Sequence, residues 1–109
     1  MRLKASLGAL IVLCSVAGAP AQAAETLRIH RLDGSRQCEE GTGRSLARDA
    51  QALRRLGIAI RSMRKLQHPS MITILMCGVP SARANTYIVR AGDWRRYRKQ
   101  LKGFQLWPR

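Results

Sequence analysis

Arg44-Ser45-Leu46-Ala47-Arg48-Asp49-Ala50-Gln51-Ala52-Leu53-Arg54-Arg55-Leu56-Gly57-Ile58-Ala59-Ile60 is the stretch that decides the fold class. Leu46, Ala50, Leu53 and Leu56 recur at helical spacing, and Gly57 stands where a helix commonly stops because a residue without Cβ accepts the left-handed turn there. The spacing predicts a helix over 44–56. Glu39 and Glu40, just upstream, suit the positive end of its dipole, a stabilising arrangement rather than a catalytic one. Ile58-Ala59-Ile60 resumes directly after the glycine as a short β-branched segment. Helix, glycine stop and extended segment in succession belong to a mixed chain.

Working outward toward the N-terminus, Ser35 to Gly43 carries Cys38, two acids and two glycines, and reads as a loop. Before it, Thr26-Leu27-Arg28-Ile29-His30-Arg31-Leu32 alternates apolar and polar side chains and is closed by Asp33-Gly34, the pattern of a first strand. Toward the C-terminus, Met71-Ile72-Thr73-Ile74-Leu75-Met76-Cys77 is an apolar run of strand length, and Gln67-His68-Pro69-Ser70 supplies a turn before it. The two apolar segments are expected to pair as a hairpin, with the second strand central because both of its faces are apolar. Gly78 to Asn85 reads as a loop and Thr86-Tyr87-Ile88-Val89 as a short strand.

Asp93 is expected to cap a second helix running to about Lys102, with Gly103 as its stop. Trp94, Tyr97 and Leu101 form one seam on that helix, and Arg95, Arg96, Lys99 and Lys102 fall away from it. The expected order is β-α-β-β-β-α, a small two-layer α+β sandwich held by one disulfide. The closest named arrangement is the ferredoxin-like split βαβ, with 104–107 as a last strand, although the segment at 86–89 then stands as an extra strand.

Arg2 and Lys4, the apolar run Leu7 to Ala17, Pro20 and the triplet Ala21-Gln22-Ala23 have the order of a secretory signal peptide. The apolar stretch is shorter than the roughly 20 residues that span a bilayer. A lipoprotein anchor at Cys14 would want a small residue before the cysteine, and Leu13 stands there. Residues 1–23 are therefore expected to be removed, leaving 24–109 as one small domain in the bacterial periplasm or outside the cell, with no transmembrane segment.

Cys38 and Cys77 then remain in a compartment that permits oxidation. They lack the C-x-x-C spacing that lowers a thiol pKa, which sets a redox pair aside. A zinc site drawn from Cys38, Cys77, His30 and His68 has the ligand count without a paired spacing. A structural disulfide is the expectation, closing a loop of about 40 residues and giving roughly 4 kcal/mol in the chain-entropy model. No cofactor and no metal are expected.

Setting aside Arg2 and Lys4 leaves 18 Lys and Arg against 6 Asp and Glu, a net +12. Fifteen of those cations are Arg, which favours forked contact with phosphate or carboxylate, although GC-rich codon usage also raises Arg at exposed positions. Arg95, Arg96, Lys99 and Lys102, beside Arg98 and near Trp107 and Arg109, are the candidate anion-binding residues; the alternative is the solvated face of a core-packed helix. The expected partner is an anionic envelope component or an acidic protein, with nucleic acid ranked below because export argues against it and no RNA-binding motif is found.

Arg61, Arg64 and Lys65 form a second cationic strip that would line a groove with Arg44, Arg48 and Arg55 if strand register allows. Gly41-Thr42-Gly43 is a weak phosphate-loop signal, since no Lys-Ser/Thr follows and Glu39 and Glu40 precede it. His30 and His68 are the only imidazole bases, so a small histidine-dependent hydrolase such as a nuclease is the alternative from another class. The acids fill turn and helix-start positions instead. A structural accessory subunit of an envelope complex is the third reading, and the leading one is a non-enzymatic binding module.

Overall fold

A computed structural model describes residues 25–71 and 74–109, so the expected signal peptide over 1–23 lies outside the described residues. The alternating segment forms β1 (Thr26–Leu32) as expected. Then follow α1 (Leu46–Arg55), β2 (Ser62–Gln67), β3 (Arg83–Arg90), α2 (Ala91–Tyr97) and β4 (Gln105–Leu106). The four strands make one antiparallel sheet in the order β2-β3-β1-β4. Register runs from Thr26↔Arg90 to Leu32↔Ala84 between β1 and β3, and from Ser62↔Ile88 to Gln67↔Arg83 between β2 and β3. The described residues thus form a small α+β domain with two helices on a four-stranded sheet and one disulfide.

The helix expected over 44–56 forms as α1 with its first turn at Leu46, two residues later than expected. The Ser45 hydroxyl accepts from the Arg48 amide at 3.1 Å, satisfying one of the free donors of the first turn. Gly57 takes φ +83°, and the Ile58 amide returns to the Leu53 carbonyl at 3.2 Å. Leu53 and Ala50 point into a core shared with Ile29, Ile58, Tyr87, Val89, Trp94, Leu101 and Phe104. Alternation along the strands sends Ile29, Tyr87 and Val89 toward the helices and leaves His30, Thr86 and Ile88 on the opposite face.

The expected element order needs correction: it is β-α-β-β-α-β in place of β-α-β-β-β-α. Ile58-Ala59-Ile60 is not a strand; Ile58 anchors the core and the strand starts at Ser62. The described part of the apolar run, Met71 and Ile74 to Cys77, is not a strand either, and Ile74, Leu75 and Met76 are exposed. The central strands are β1 and β3. A run apolar on both faces suits a sheet covered on both sides, whereas both helices here contact this sheet on the face that carries Tyr87 and Val89. The strand expected at 86–89 is longer, Arg83–Arg90, and the last one is the pair Gln105–Leu106.

Asp93 does not cap α2. The helix leaves β3 directly at Ala91, whose amide donates to the Glu25 carbonyl at 3.0 Å, so Asp93 falls in the first turn. α2 ends at Tyr97, and turns carry the chain through Leu101 to Gly103 at φ +90°. Trp94 and Leu101 are buried and Tyr97 half-buried, which is the expected seam.

Cys38 and Cys77 are bonded, 39 residues apart in sequence with Cα atoms 5.0 Å apart. The bond ties the β1–α1 loop to the segment before β3. Backbone bonds reinforce the join: Gln37 N–H to Val79 O and Ser81 N–H to Ser35 O, each at 2.9 Å. Among the described residues no helix is long and apolar enough to cross a membrane.

Candidate functional site

The cations singled out in the sequence sit on the outside of α2 and the turns after it. Trp94 and Leu101 face the core, so Arg95, Arg96, Lys99 and Lys102 project outward, together with Arg98, and all five are exposed. None of them forms an ion pair among the described residues. The Arg96 guanidinium lies 5.4 Å from the Tyr97 ring centroid, a cation–π contact that holds it against the surface.

The groove expected between the second cationic strip and Arg44, Arg48 and Arg55 does not form, because Lys65 and Arg44 turn inward. Lys65 Nζ donates to Asp33 Oδ2 at 2.8 Å, Asn85 Oδ1 at 2.8 Å and the Arg44 carbonyl at 2.9 Å, which uses all three ammonium protons. Asn85 Nδ2 donates in turn to Asp49 Oδ2 at 3.0 Å. Arg44 Nε donates to Asp49 Oδ1 at 2.9 Å, and Arg44 also donates to the Leu32 carbonyl. Burial works to raise the Asp33 pKa, but hydrogen bonds from Lys65 and Ser35 outweigh it and hold the carboxyl below its ordinary range. Tyr87 completes the cluster, donating its hydroxyl to the Leu46 carbonyl at 2.7 Å. Burial, with the Asp49 charge behind it, raises the phenol pKa.

Gly41-Thr42-Gly43 has a packing role. Gly43 stands at φ +97°, and a Cβ there would come within 2.8 Å of the Ser35 Cβ. Thr42 Oγ1 accepts from the Arg36 amide at 2.9 Å and donates to the Glu39 carbonyl at 2.7 Å. The loop borders an open cleft of about 900 Å³ whose lining mixes Arg36 and Arg83 with Glu39 and Glu40.

The structure brings together the two histidines, which no sequence spacing placed at one site. His30 on β1 and His68, just past β2, have ring centroids 4.9 Å apart on the sheet face away from the helices. Trp107 stands edge-on to both, at 5.1 Å and 5.3 Å. His30 is only 5% exposed, and its Nδ1 is the one buried side-chain polar atom without a hydrogen-bond partner among the described residues. His68 Nδ1 accepts from the Ser70 amide at 3.1 Å. Burial lowers the His30 pKa, the neighbouring His68 lowers it further, and a hydrogen bond with the Gln105 backbone opposes both. The pair lines a cavity of about 390 Å³ together with Arg31, Leu32, Met71, Gly103 and Gln105. Arg28 is on the same face, donating to Thr86 Oγ1 at 2.8 Å.

This cluster was hidden by the placement of β2. With the strand set at 58–60, His68 belongs to a distant turn; with it at 62–67, Arg64, Leu66 and His68 alternate onto the face that carries His30. The oxidised Cys38 and Cys77 have no thiolate to offer, so the zinc site combining them with the two histidines is ruled out. Comparison of the chain with protein-family models, with curated proteins and with solved structures gives no match.

Proposed function

We propose that the protein is an exported, non-enzymatic binding module that holds an anionic envelope component or an acidic protein partner through Arg95, Arg96, Lys99 and Lys102. The observation that carries this reading is that all four are exposed on one helix and its following turns with no ion pair among the described residues. The two buried acids, Asp33 and Asp49, are taken up internally by Lys65 and Arg44, which leaves the outer positive charge uncompensated. Export is supported by the signal-peptide pattern of residues 1–23 and by the disulfide.

The sheet order β2-β3-β1-β4 with two helices on one face supports a ferredoxin-like reading of the arrangement. A histidine-dependent hydrolase is less well supported: no third His, Cys, Asp or Glu clusters with the histidines among the described residues, so no carboxylate orients them as an acid–base pair.

The test is replacement of the four cations by Gln, followed by binding of the oxidised protein to vesicles of anionic and of neutral lipid at low and high salt. With about 1 kcal/mol per cation near an anionic surface, the fourfold variant is expected to lose roughly a hundredfold or more in affinity for anionic vesicles. Unchanged binding removes the site, and binding to every anion that vanishes equally in salt reduces it to unspecific attraction.

A second reading, an accessory subunit of an envelope complex, is favoured by exposed Ile74, Leu75 and Met76, at 68%, 92% and 58%. It requires concentration-dependent self-association or a partner, so a strictly monomeric protein across a sedimentation series without a co-purifying subunit argues against it.

A further inference from the structure

The His30, His68 and Trp107 cluster has no part in the α2 surface, and it contains an unexplained atom. A buried imidazole nitrogen without a partner is rare in proteins, because it forfeits solvation with nothing in return. His30, His68 and Met71 line one cavity. Neutral imidazole and thioether are soft-to-borderline ligands without charge. No third His, Cys, Asp or Glu joins them among the described residues, so the four-ligand shell that zinc requires cannot be built from those residue types.

The separation of the two rings leaves room for one ion between them. An ion about 2 Å from each ligating nitrogen lies about 3 Å from each ring centroid, and centroids 4.9 Å apart then subtend roughly 100° at the ion, an ordinary ligand–metal–ligand angle. Arg31 lines the same cavity and Arg28 shares the sheet face, so a monovalent ion meets less repulsion here than a divalent one.

We infer that His30, His68 and Met71 form a low-coordinate site for a soft monovalent metal ion, copper(I) or its surrogate silver(I), with Trp107 packed against the ligating rings. The site is independent of the α2 surface and stands whether or not that surface binds anions. Both imidazoles bind as neutral ligands, and the thioether supplies the third donor. His68 has its Nδ1 engaged by the Ser70 amide, so it offers Nε2.

The experiment is silver(I) titration of the full chain with its disulfide formed, in chloride-free buffer and in a Cys14→Ser background so that no free thiol competes. Tryptophan fluorescence and the imidazole NMR resonances report binding. One silver ion per chain is expected, with both histidine rings shifted and Trp107 emission changed. His68→Asn and His30→Gln should each weaken binding at least about tenfold, since even outer-shell changes at metal sites cost that much.

Met71→Leu should weaken silver binding as well. Zinc(II) should show no saturable binding. His30→Gln alters a buried residue; if its circular dichroism melt shows that it does not fold, His68→Asn and Met71→Leu decide the matter. Absence of stoichiometric silver binding, binding undiminished in His68→Asn and Met71→Leu, or zinc binding of equal strength at the same residues overturns the assignment.

Discussion

Asp33 is buried to within 3% of full enclosure, and its charge is tolerable only because Lys65 Nζ stands 2.8 Å away and the Ser35 amide donates to its other oxygen at 2.8 Å. Removing the ammonium while keeping the apolar stem leaves that carboxylate uncompensated. Lys65→Met is therefore expected to cost about 3 kcal/mol, read from urea unfolding at neutral pH. Truncation of a solvated strand lysine would cost a few tenths, so the size of the loss separates an inward Lys65 from one that lines a groove.

The same contact sets a pH dependence. The folded pKa of Asp33 lies below its ordinary value of 3.8, so its stabilising contribution is fully present above that value and is lost as pH falls through the folded one. The acid limb of the stability curve should be flatter in Asp33→Asn than in wild type, and equal slopes below about pH 4 would contradict the buried pair.

At the scale of elements, the contrast between α1 and the run at 71–77 explains what was legible in the sequence. α1 was legible because spacing and stop agree: Leu46, Ala50 and Leu53 and the Gly57 backbone state one answer, and the Ser45 cap seen in the structure adds to it. β1 was legible for the same reason, as alternation closed by a turn. The apolar run misled because composition does not say which side of a sheet is covered; Leu75 is 92% exposed while the less apolar β3 runs through the centre.

β2 was missed because its residues, Ser62-Met63-Arg64-Lys65-Leu66-Gln67, are mostly polar, and its inward lysine is satisfied by groups 20 and 32 residues away. With β2 misplaced, the meeting of His30 and His68 could not be seen, whereas the α2 cations needed only local helical spacing. Two core-versus-surface substitutions check the assignment. Leu53→Ala should cost about 2–5 kcal/mol, and Leu75→Ser less than about 0.5 kcal/mol, by denaturant midpoint. Comparable losses would restore the run to the core.

For the molecule as a whole, a small domain has a narrow stability margin, and the disulfide is a large part of it. Cys38→Ser with Cys77→Ser should lower unfolding free energy by as much as about 4 kcal/mol. Cys38 and Cys77 are both solvent-exposed, so reductant should reach the bond without prior unfolding. A melting temperature insensitive to reductant would count against that share. Loss of the bond should loosen the paired loops around Gln37 and Val79 before the sheet, because the sheet has its own ladder from Thr26↔Arg90 onward.

Lys65 has one more consequence, for how the chain avoids the wrong structure. β2 is an outer strand, and an outer strand is where neighbouring molecules add on or where pairing slips by one. A one-residue slip would swing Lys65 to the far side of the sheet and bring Arg64 or Leu66 against Asp33 and Asn85. Arg64 is too long for the space an ammonium fills, and Leu66 has no proton to give. The buried lysine therefore acts as a locking pin for strand alignment, making the misaligned partner strand chemically unacceptable rather than merely less favourable.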